Sequence, residues 1–349
     1  MSRKLLLVGS ASIHTYNFLT LVKSFFEEII LVTPTETDFT DEKVTRKYVV
    51  NTSLKNPFRY FRAIRQFRDI ICNEKPQVIH VQQIVTYDFL LLRANRKMKI
   101  PVVSTAWGSD ILLNPKKNRI LERMVRYCIE NSDYLTADAH FIAQEMKNLT
   151  HKPIQVTVAN FGIDIPDSIP ENKDNIVYSN RLHNKLYRID SVIRAFERFV
   201  HSEHGRGWTL VIAATGSDTE SLKALVDELH INDEVRFEGW VDKDTNQGWY
   251  SRSKIWISLP ESDATAISML EAMGNGCIPV VSDLPANREW IKDHDTGLLV
   301  SDVGNFDLSE ALSLDYKRLS SINRTLIEKE ATKNANMLKF IKIYETLIR

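Results

Sequence analysis

The sequence predicts two α/β domains in tandem, each with a doubly wound parallel β-sheet covered by helices on both faces. Short apolar runs without polar alternation, such as residues 5–8, 29–32 and 78–81, alternate with helix-length segments in the first half. Runs of this kind are typical of parallel strands buried on both faces. The series restarts at residues 175–179, after a polar stretch over 165–174 that contains two prolines, as expected at a domain boundary.

These patterns predict a first domain over residues 1–165, a linker over 166–174 and a second domain over 175–315. A C-terminal helical segment over 316–349 is expected to pack back toward the first domain. Ligands of such sheets bind beyond the carboxyl ends of the strands. The expected ligand site is therefore a central cleft that the two domains face.

Composition excludes several classes of protein. The 349 residues include 45 Lys+Arg and 45 Asp+Glu, so no basic excess indicates a nucleic-acid-binding protein. Residues 1–168 hold 23 basic and 17 acidic side chains, whereas residues 169–349 hold 22 and 28. This asymmetry indicates either a first half that faces an anionic partner or chance variation of the surface.

The cysteines and the hydropathy indicate a reducing compartment. Cys72, Cys128 and Cys277 are far apart and form no C-x-x-C pair, which disfavours disulfides and structural zinc. The apolar run at residues 5–8 is shorter than that of a signal peptide, and no run reaches the 18 residues that span a membrane. We therefore expect a cytoplasmic protein, either free or peripheral at the inner face of the membrane.

One segment, residues 260–282, carries the most chemical information. It is predicted to form a loop, a helix, a glycine turn and a strand. Asp263 and Glu271 are separated by seven residues, and the turn that follows contains Gly274 and Gly276. Taken alone, Asp263 and Glu271 could simply be two surface acids around a core helix. The glycine turn that leads into a strand argues against that explanation.

The start of this helix is predicted to bind an anion. With Thr265 as the N-cap, the amides of Ala266, Ile267 and Ser268 lack partners within the helix and can stabilise a diphosphate. Side chains on a helix tilt toward its N-terminus, so Glu271 is expected to lean toward the same ligand and accept the hydroxyls of a ribose. Asp263 could accept hydroxyls of a second sugar.

This segment, with its acid pair, its Glu-Ala-Met and its Pro-Val-Val, resembles the signature of retaining, nucleotide-sugar-dependent glycosyltransferases of family 4 (group 1), which have the GT-B fold. Six further fragments resemble that family in its order along the chain. They are residues 76–80 (Pro-Gln-Val-Ile-His), 105–111 (Thr-Ala-Trp-Gly-Ser-Asp-Ile), 160–164 (Asn-Phe-Gly-Ile-Asp), 179–185 (Ser-Asn-Arg-Leu-His-Asn-Lys), 235–239 (Val-Arg-Phe-Glu-Gly) and 296–300 (Thr-Gly-Leu-Leu-Val).

The resemblance implies roles for further residues. Arg181 and Lys185 correspond to the cations that neutralise the donor diphosphate, although each could be an exposed loop cation. Gly9 and Ser10, after the first strand, would let the backbone approach the reacting centre, unless they form a simple strand-to-helix turn. Gly239 corresponds to the loop beside the base of the donor.

The chain departs from the family at two positions. The first acid is usually Glu, and Asp263 is shorter by one methylene. Trp107 stands where many members have the histidine that contacts the transferred sugar, and a Trp side chain can only donate its N–H or stack on a sugar face. His14 is the nearest substitute for that histidine, and its alternative role is that of a residue at a helix start. Asp110, in the same loop as Trp107, is placed on the acceptor side.

The resemblance implies retaining transfer from a UDP- or GDP-sugar, with a weak preference for UDP, to a glycan or lipid-linked saccharide of surface polysaccharide biosynthesis. The leaving phosphate would help to take the proton of the acceptor hydroxyl. Since cations and amides carry the charge of the diphosphate, no metal and no other cofactor is expected. Two acid-x-acid pairs, at residues 242–244 and 293–295, have spacing used for metals but lie in polar turns.

Residues 58–68 form a predicted basic amphipathic helix in the positively charged half. Its arginines recur every third residue and fan over half the helix surface. One interpretation is contact with anionic lipid near a lipid-linked acceptor. The other is a solvated helix whose Phe and Ile side chains lie in the core.

The sequence also allows other functions. A catalytically inactive nucleotide-sugar-binding or scaffold protein of the same fold would explain Trp107 and Asp263. A two-lobed sugar-nucleotide epimerase is a third hypothesis. A nicotinamide dehydrogenase is disfavoured because no G-x-G-x-x-G follows the first strand of either half.

Overall fold

The computed structural model describes residues 3–53 and 56–348. The chain forms two compact units, Met1–Gly162 together with Lys333–Arg349, and Ile163–Thr332. Each unit has one parallel sheet, of seven and six strands, with helices between the strands. The predicted class of two doubly wound α/β domains is therefore confirmed.

The sheet of the first unit has five central strands that are mainly apolar and buried, and two edge strands that are more exposed. Its strands are β1 (Lys4–Val8), β2 (Glu28–Thr33), β3 (Val44–Val49), β4 (Val78–Gln82), β5 (Val102–Ala106), β6 (Tyr134–Ala137) and β7 (Val156–Val158). Their order is β3-β2-β1-β4-β5-β6-β7, and all pairs are parallel. From β1 the chain first adds β2 and β3 on one side and then β4 to β7 on the other, so the strand order switches at β1. Leu6 on β1 pairs with both Ile30 and Ile79. Ligand sites of open sheets lie at such a switch point.

Helices connect these strands, and the last helix of the chain (Lys333–Leu347) completes the unit. They are α1 (Ile13–Val22), α2 (Pro57–Glu74), α3 (Thr86–Asn95), α4 (Ser109–Leu112), α5 (Asn114–Lys117), α6 (Arg119–Asn131) and α7 (His140–Asn148). Asparagine side chains start two of them: Asn56 accepts the Phe58 amide at 2.9 Å, and Asn118 accepts the Leu121 amide at 2.9 Å. In the described ranges, no helix is both long and apolar enough to cross a membrane.

The second unit repeats the design with six parallel strands. These are β8 (Asp174–Ser179), β9 (Thr209–Ala213), β10 (Val235–Gly239), β11 (Ser253–Ser258), β12 (Ile278–Ser282) and β13 (Leu298–Val300), in the order β10-β9-β8-β11-β12-β13. The helices are α8 (Ile189–Val200), α9 (Thr219–Glu228), α10 (Lys243–Arg252), α11 (Ile267–Gly274) and α12 (Tyr316–Glu330). The strand order switches between β8 and β11, which are parallel neighbours. The loops after these two strands therefore meet at one edge of the sheet.

The two C-terminal helices belong to different units, whereas the sequence predicted one returning segment over 316–349. Helix α12 buries Leu319 and Ile327 in the cores of the second unit. The helix Lys333–Leu347, now α13, buries Phe340 and Tyr344 in the core of the first. The division falls at residue 332 because each helix buries its apolar face against a different sheet. The predicted linker 166–174 lies within the second unit.

A buried histidine ties α13 to the sheet of the first unit. His80 on β4 is fully buried, and its ring nitrogens lie 2.6 Å from the Tyr344 hydroxyl and 2.6 Å from the Thr105 hydroxyl. Burial lowers the pKa of His80 to about 3, so the ring is neutral at physiological pH. The histidine of the predicted 76–80 strand is therefore a structural residue with both nitrogens bonded.

An acid is also buried in this unit. Asp88 on α3 is fully buried, and its Oδ1 accepts the Ser104 hydroxyl at 3.1 Å. Burial raises the pKa of Asp88 to about 8, so the carboxyl is neutral near pH 7, whereas in an unfolded chain it ionises near pH 4. The folded state then binds a proton that the unfolded chain has lost, and stability falls as the pH rises from about 4 to about 8.

We expect Asp88→Asn to remove this pH dependence. The change should leave the melting temperature near that of the parent at pH 5 and raise it relative to the parent at pH 8, because the parent loses up to about 1.4 kcal/mol per pH unit in between. Thermal unfolding from pH 5 to pH 8 measures the difference, with the exposed Asp69→Asn as the control. A difference between Asp88→Asn and the parent that is constant with pH would contradict the neutral acid.

Candidate functional site

The start of α11 carries the residues predicted to bind an anion. Helix α11 begins at Ile267 with Ala266 as its N-cap, and no side chain of the described residues caps it. The prediction of Thr265 as the N-cap is wrong by one residue. The Thr265 hydroxyl accepts a bond from Trp290 Nε1 at 3.4 Å. Ala266 is buried and carries only a methyl group at this position.

The leading amides of α11 are those of Ile267 and Ser268. The carbonyl of Ala266 accepts the next two amides, from Met269 at 3.0 Å and Leu270 at 3.3 Å. Among the residues that the structure describes, neither Ile267 N–H nor Ser268 N–H has an acceptor. Two unpaired donors at the positive end of a helix dipole form a site for an anion.

Arg181 places a cation at this helix start. It follows β8 by one residue, and its Nη2 lies 2.5 Å from Asp263 Oδ2 while its Nη1 donates to Ser268 Oγ at 2.8 Å. The guanidinium also lies over the ring of Tyr187, 4.4 Å from its centroid. Its Nε is buried and has no acceptor within the described part of the chain. The structure therefore brings Arg181, Asp263 and Ser268 together, as the predicted donor site requires.

The Asp263 carboxylate is held between opposing influences. Burial raises its pKa, and the Arg181 guanidinium acts in the opposite direction. Its other oxygen accepts the amide of Ala264 at 3.0 Å. In this arrangement Asp263 neutralises Arg181, so an incoming diphosphate would compete with Asp263 for the guanidinium.

Glu271 lies on the same side of α11 as Ser268, three residues further along the helix. The hydroxyl of Tyr250 donates to Glu271 Oε2 at 2.9 Å. Burial is the largest cause that raises the pKa of Tyr250 well above its ordinary value, with the charge of Glu271 adding to it, so this hydroxyl keeps its proton. A protonated hydroxyl from α10 therefore holds the Glu271 carboxylate.

The structure does not join Lys185 to this cluster. Lys185 is exposed in a short 3₁₀ turn, Lys185–Tyr187, and within residues 3–53 and 56–348 it has no ion pair or side-chain hydrogen bond. Arg188, which was not among the predicted site residues, instead donates to the carbonyls of Leu259 at 2.7 Å and Pro260 at 2.6 Å. Arg188 therefore fastens the loop that leads to Asp263.

Two predicted glycines have geometric reasons to be glycine. A Cβ at Gly9 would lie 2.5 Å from Thr15 Oγ1, so packing against α1 excludes a side chain there. Gly239 has φ +67°, and a Cβ on it would meet open space. Its carbonyl accepts the amide of Ala214 at 2.6 Å, which joins the loops after β9 and β10.

In the first unit, three aromatic rings cluster beyond the carboxyl ends of the strands. The ring of His14, at the start of α1, lies 5.1 Å from the Trp107 ring and 5.8 Å from the Phe161 ring, measured between centroids. Burial against its neighbours lowers the pKa of His14, which favours the neutral ring as a proton acceptor. Ser10, in the turn before α1, lies 2.8 Å from Ser12 between hydroxyl oxygens.

Trp107 and Asp110 are already engaged with the protein. The indole N–H of Trp107 donates to Gln82 Oε1 at 2.9 Å, so this donor is already used within the protein. Asp110 is fully buried, and its carboxylate accepts the amides of Ile84 at 2.8 Å and Trp107 at 3.1 Å. Burial raises the pKa of Asp110 to about 6. Its observed role is to brace the loop that carries Trp107.

The two acid-x-acid pairs serve local structure. Asp242 caps α10 by accepting the Thr245 amide at 2.8 Å. Asp295 forms ion pairs with Lys292 at 3.0 Å and Arg318 at 2.5 Å. Over the described residues, no group of three His, Cys, Asp or Glu side chains is arranged to hold a metal ion.

The groups that hold Glu271 were not predicted from the sequence. Tyr250 lies on α10 and Asn180 directly after β8, and neither belongs to a motif that names it as a binding residue. The one available signal for Asn180 was its place beside Arg181 at a strand end, where polar side chains commonly reach a site.

Comparisons with known proteins match both halves of the chain. Residues 4–139 match the family model described as glycosyl transferase 4-like, and residues 163–317 match the model of the glycosyl transferases group 1. The N-acetyl-alpha-D-glucosaminyl L-malate synthase of Bacillus anthracis is 25% identical over 247 residues. That alignment covers 66% of this chain and 63% of the relative, which is less than two thirds of its length.

Solved structures share the fold over the whole chain. A glycosyltransferase from Rickettsia africae ESF-5 has a TM-score of 0.81 at 15% identity and covers 100% of this chain and 99% of its own. Anabaena HepE, solved with UDP and glucose, has a TM-score of 0.79 at 10% identity and covers 99% of this chain and 100% of its own. These shared folds show that the chain has the GT-B fold, and the two family models show that it belongs to the group 1 glycosyltransferases.

Proposed function

We propose that the chain transfers a sugar, with retention of its configuration, from a nucleotide diphosphate donor to a saccharide acceptor. The observation that carries this proposal is the cluster at the start of α11, where Arg181, Asp263 and Ser268 are in contact. Two unpaired amides and Glu271 lie on the same helix. A diphosphate is stabilised by a cation and by N–H donors, and the hydroxyls of a ribose are bound by a carboxylate. Along α11, the donors come first and the carboxylate follows.

The chemistry asked of the protein is positioning and charge stabilisation. The amides of Ile267 and Ser268 and the guanidinium of Arg181 would stabilise the charge that develops on the leaving diphosphate. The leaving phosphate would help to take the proton of the attacking hydroxyl. Because these groups carry the charge, we propose that no metal or other cofactor is needed.

A uridine nucleotide is the proposed donor, ahead of a guanosine nucleotide. HepE, which shares the fold, was solved with UDP and glucose, and this supports the choice. The acceptor we propose is a glycan or a lipid-linked saccharide of surface polysaccharide biosynthesis. His14 and Trp107 would lie on the acceptor and sugar side, with Lys185 as an outer cation of the donor site.

A second candidate function is binding without transfer. It is favoured by the engagement of two groups that transfer would use, since Asp263 is paired with Arg181 and the Trp107 N–H is paired with Gln82. Release of UDP from a UDP-sugar, with or without an acceptor, separates an enzyme from a binding protein.

We expect Glu271→Ala to abolish nucleotide binding. The parent should be stabilised against heat by UDP or GDP and by its sugar conjugates, and the variant should not, because each lost charged hydrogen bond contributes about 1.5–3 kcal/mol. A thermal-shift panel of nucleotides measures this, with the exposed Glu228→Ala as the control. Unchanged stabilisation of the Glu271 variant would show that the ribose does not bind there.

We expect Asp263→Asn to separate nucleotide binding from transfer. Loss of its charge leaves Arg181 to the diphosphate, so the Kd for UDP should stay the same or fall by about three- to tenfold. Sugar transfer should fall by more than about tenfold, because an acceptor of the sugar hydroxyls is weakened. Calorimetry and a transfer assay measure the two, and Asp174→Asn, which breaks an exposed pair with Arg252, is the control. Markedly weaker UDP binding would contradict this assignment.

We also propose that the first unit lies on an anionic membrane through α2 and the start of α6. Phe58 is 85% exposed, Phe61 68% and Ile120 75%, whereas Phe67 on α2 lies in the core. Of the two interpretations of this helix, the one that places its Phe side chains in the core therefore fails for two of them. Exposed cations lie near these apolar side chains along the chain, namely Arg59, Arg62, Arg65, Lys116, Lys117, Arg119 and Arg123.

This combination fits a lipid surface. Both helices follow strands of one parallel sheet, so their starts lie at the same end of the unit, beyond the carboxyl ends of the strands. Apolar side chains can enter the interface while arginine and lysine contact anionic headgroups, at about 1 kcal/mol per cation. A lipid-linked acceptor would be presented at such a surface.

We expect the chain to sediment with vesicles of equal parts phosphatidylglycerol and phosphatidylcholine but not with phosphatidylcholine alone. Phe58→Ser with Phe61→Ser should weaken binding at least about tenfold, since each buried Phe contributes about 1.5–3 kcal/mol. The matched control is Leu338→Ser, which removes an apolar side chain that is 54% exposed on α13. Equal binding to both vesicle types, or an equal loss of binding in Leu338→Ser, would contradict the proposed membrane surface.

A further inference from the structure

A chain of hydrogen bonds runs from the end of β8 to Glu271. Asn180 Nδ2 donates to the Tyr250 hydroxyl at 2.7 Å, and the Tyr250 hydroxyl donates to Glu271 Oε2 at 2.9 Å. Trp256 Nε1 donates to Asn180 Oδ1 at 3.0 Å. Asn246 Oδ1 accepts from Asn180 Nδ2 at 3.0 Å. Every link in this chain is within normal hydrogen-bond distance.

The chemistry of the groups fixes the direction of each bond. An indole N–H can only donate, so Trp256 requires the carbonyl oxygen of Asn180 to face it. The amide of Asn180 must then face Tyr250 and donate to its oxygen. A tyrosine hydroxyl has a single proton, and with its oxygen accepting from Asn180, that proton is directed at Glu271.

Burial makes this arrangement rigid. Trp256 is 0% exposed and Tyr250 1%, so neither can exchange its partner for water. Burial, the charge of Glu271 and the nearby Tyr178 raise the pKa of Tyr250 well above its ordinary value, which keeps the proton on the hydroxyl. A buried hydroxyl that lost its acceptor would destabilise the folded state. This cost holds the Glu271 carboxylate in one orientation.

We infer that Asn180 and Tyr250 are positioning residues that orient Glu271 toward the ribose of the donor. Tyr250 donates to Oε2 and so restrains the orientation of the carboxylate that the proposed donor site assigns to the ribose hydroxyls. The family motif that residues 179–182 resemble has glycine at the position of Asn180, so this link is a feature of the chain itself. The inference rests on the proposed donor site and goes beyond it, since it explains what aligns the carboxylate.

The test compares nucleotides with and without the ribose 2′-hydroxyl. UDP and 2′-deoxyuridine diphosphate, or the guanosine pair if the parent prefers it, are titrated into the parent, Tyr250→Phe and Asn180→Gly. The preference for the ribonucleotide should fall about tenfold in Tyr250→Phe and by a smaller factor in Asn180→Gly. In the transfer assay, KM for the donor should rise while kcat changes less than about threefold, because binding rather than the chemical step is affected.

The matched control is Tyr178→Phe. Tyr178 is as buried as Tyr250, and its hydroxyl donates to Asn246 Oδ1 at 2.6 Å. The change therefore removes the same kind of atom from the same core, at a residue whose hydroxyl bonds Asn246 and not Glu271. The control should keep the parent's preference for the ribonucleotide, and melting temperatures of all variants show whether each is folded.

Each outcome decides between the two proposals. If the parent binds no nucleotide, the proposed donor site fails, and the positioning role fails with it. If the parent prefers the ribonucleotide and Tyr250→Phe keeps that preference in full, the donor site stands and the positioning role is overturned. Equal weakening of both nucleotides in Tyr250→Phe, or an equal loss of preference in Tyr178→Phe, would show a role in packing alone and would also overturn it.

Discussion

The ion pair between Arg181 and Asp263 is the contact on which the site of the second unit depends. Strands β8 and β11 are parallel neighbours, so their carboxyl ends deliver Arg181 and the loop with Asp263 to the same edge of the sheet. Arg181 also bonds Ser268, which ties the strand, the loop and the start of α11 together. Both side chains are little exposed, at 12% and 21%, so each charge needs the other as long as no ligand is present. A bound diphosphate would replace the Asp263 carboxylate as the anion that pairs with Arg181.

Much of the fold could be predicted because its signal is repeated. Apolar runs without alternation, separated by helices, occur in both halves, and each run became a parallel strand. The limits of the units were harder to predict, since α12 and α13 are similar amphipathic helices separated by two residues. Only the packing of Leu319 against one core and Tyr344 against the other assigns them. Nothing in the local sequence states which sheet a helix will cover.

The site was predictable to the extent that it depends on local spacing. Ser268 and Glu271 are three residues apart on one helix, and this spacing alone places them on one side of it. Contacts between distant segments were not predictable. Thr265 is a good N-cap by residue type, but Trp290 engages its hydroxyl. Arg188 and Tyr250 act through partners that are 71 and 21 residues away, and no motif records such pairs.

The two units use buried polar groups in different ways. In the first, His80, Asp88 and Asp110 are buried, and the large shifts in their pKa values come mainly from desolvation. In the second, the charges of Arg181, Asp263 and Glu271 are kept at one helix start. The most direct test of this account is a crystal structure of the chain with UDP bound. The account predicts phosphate oxygens on the amides of Ile267 and Ser268 and on Arg181, with the ribose hydroxyls on Glu271. A diphosphate bound elsewhere, with the Arg181–Asp263 pair and the start of α11 left untouched, would contradict it.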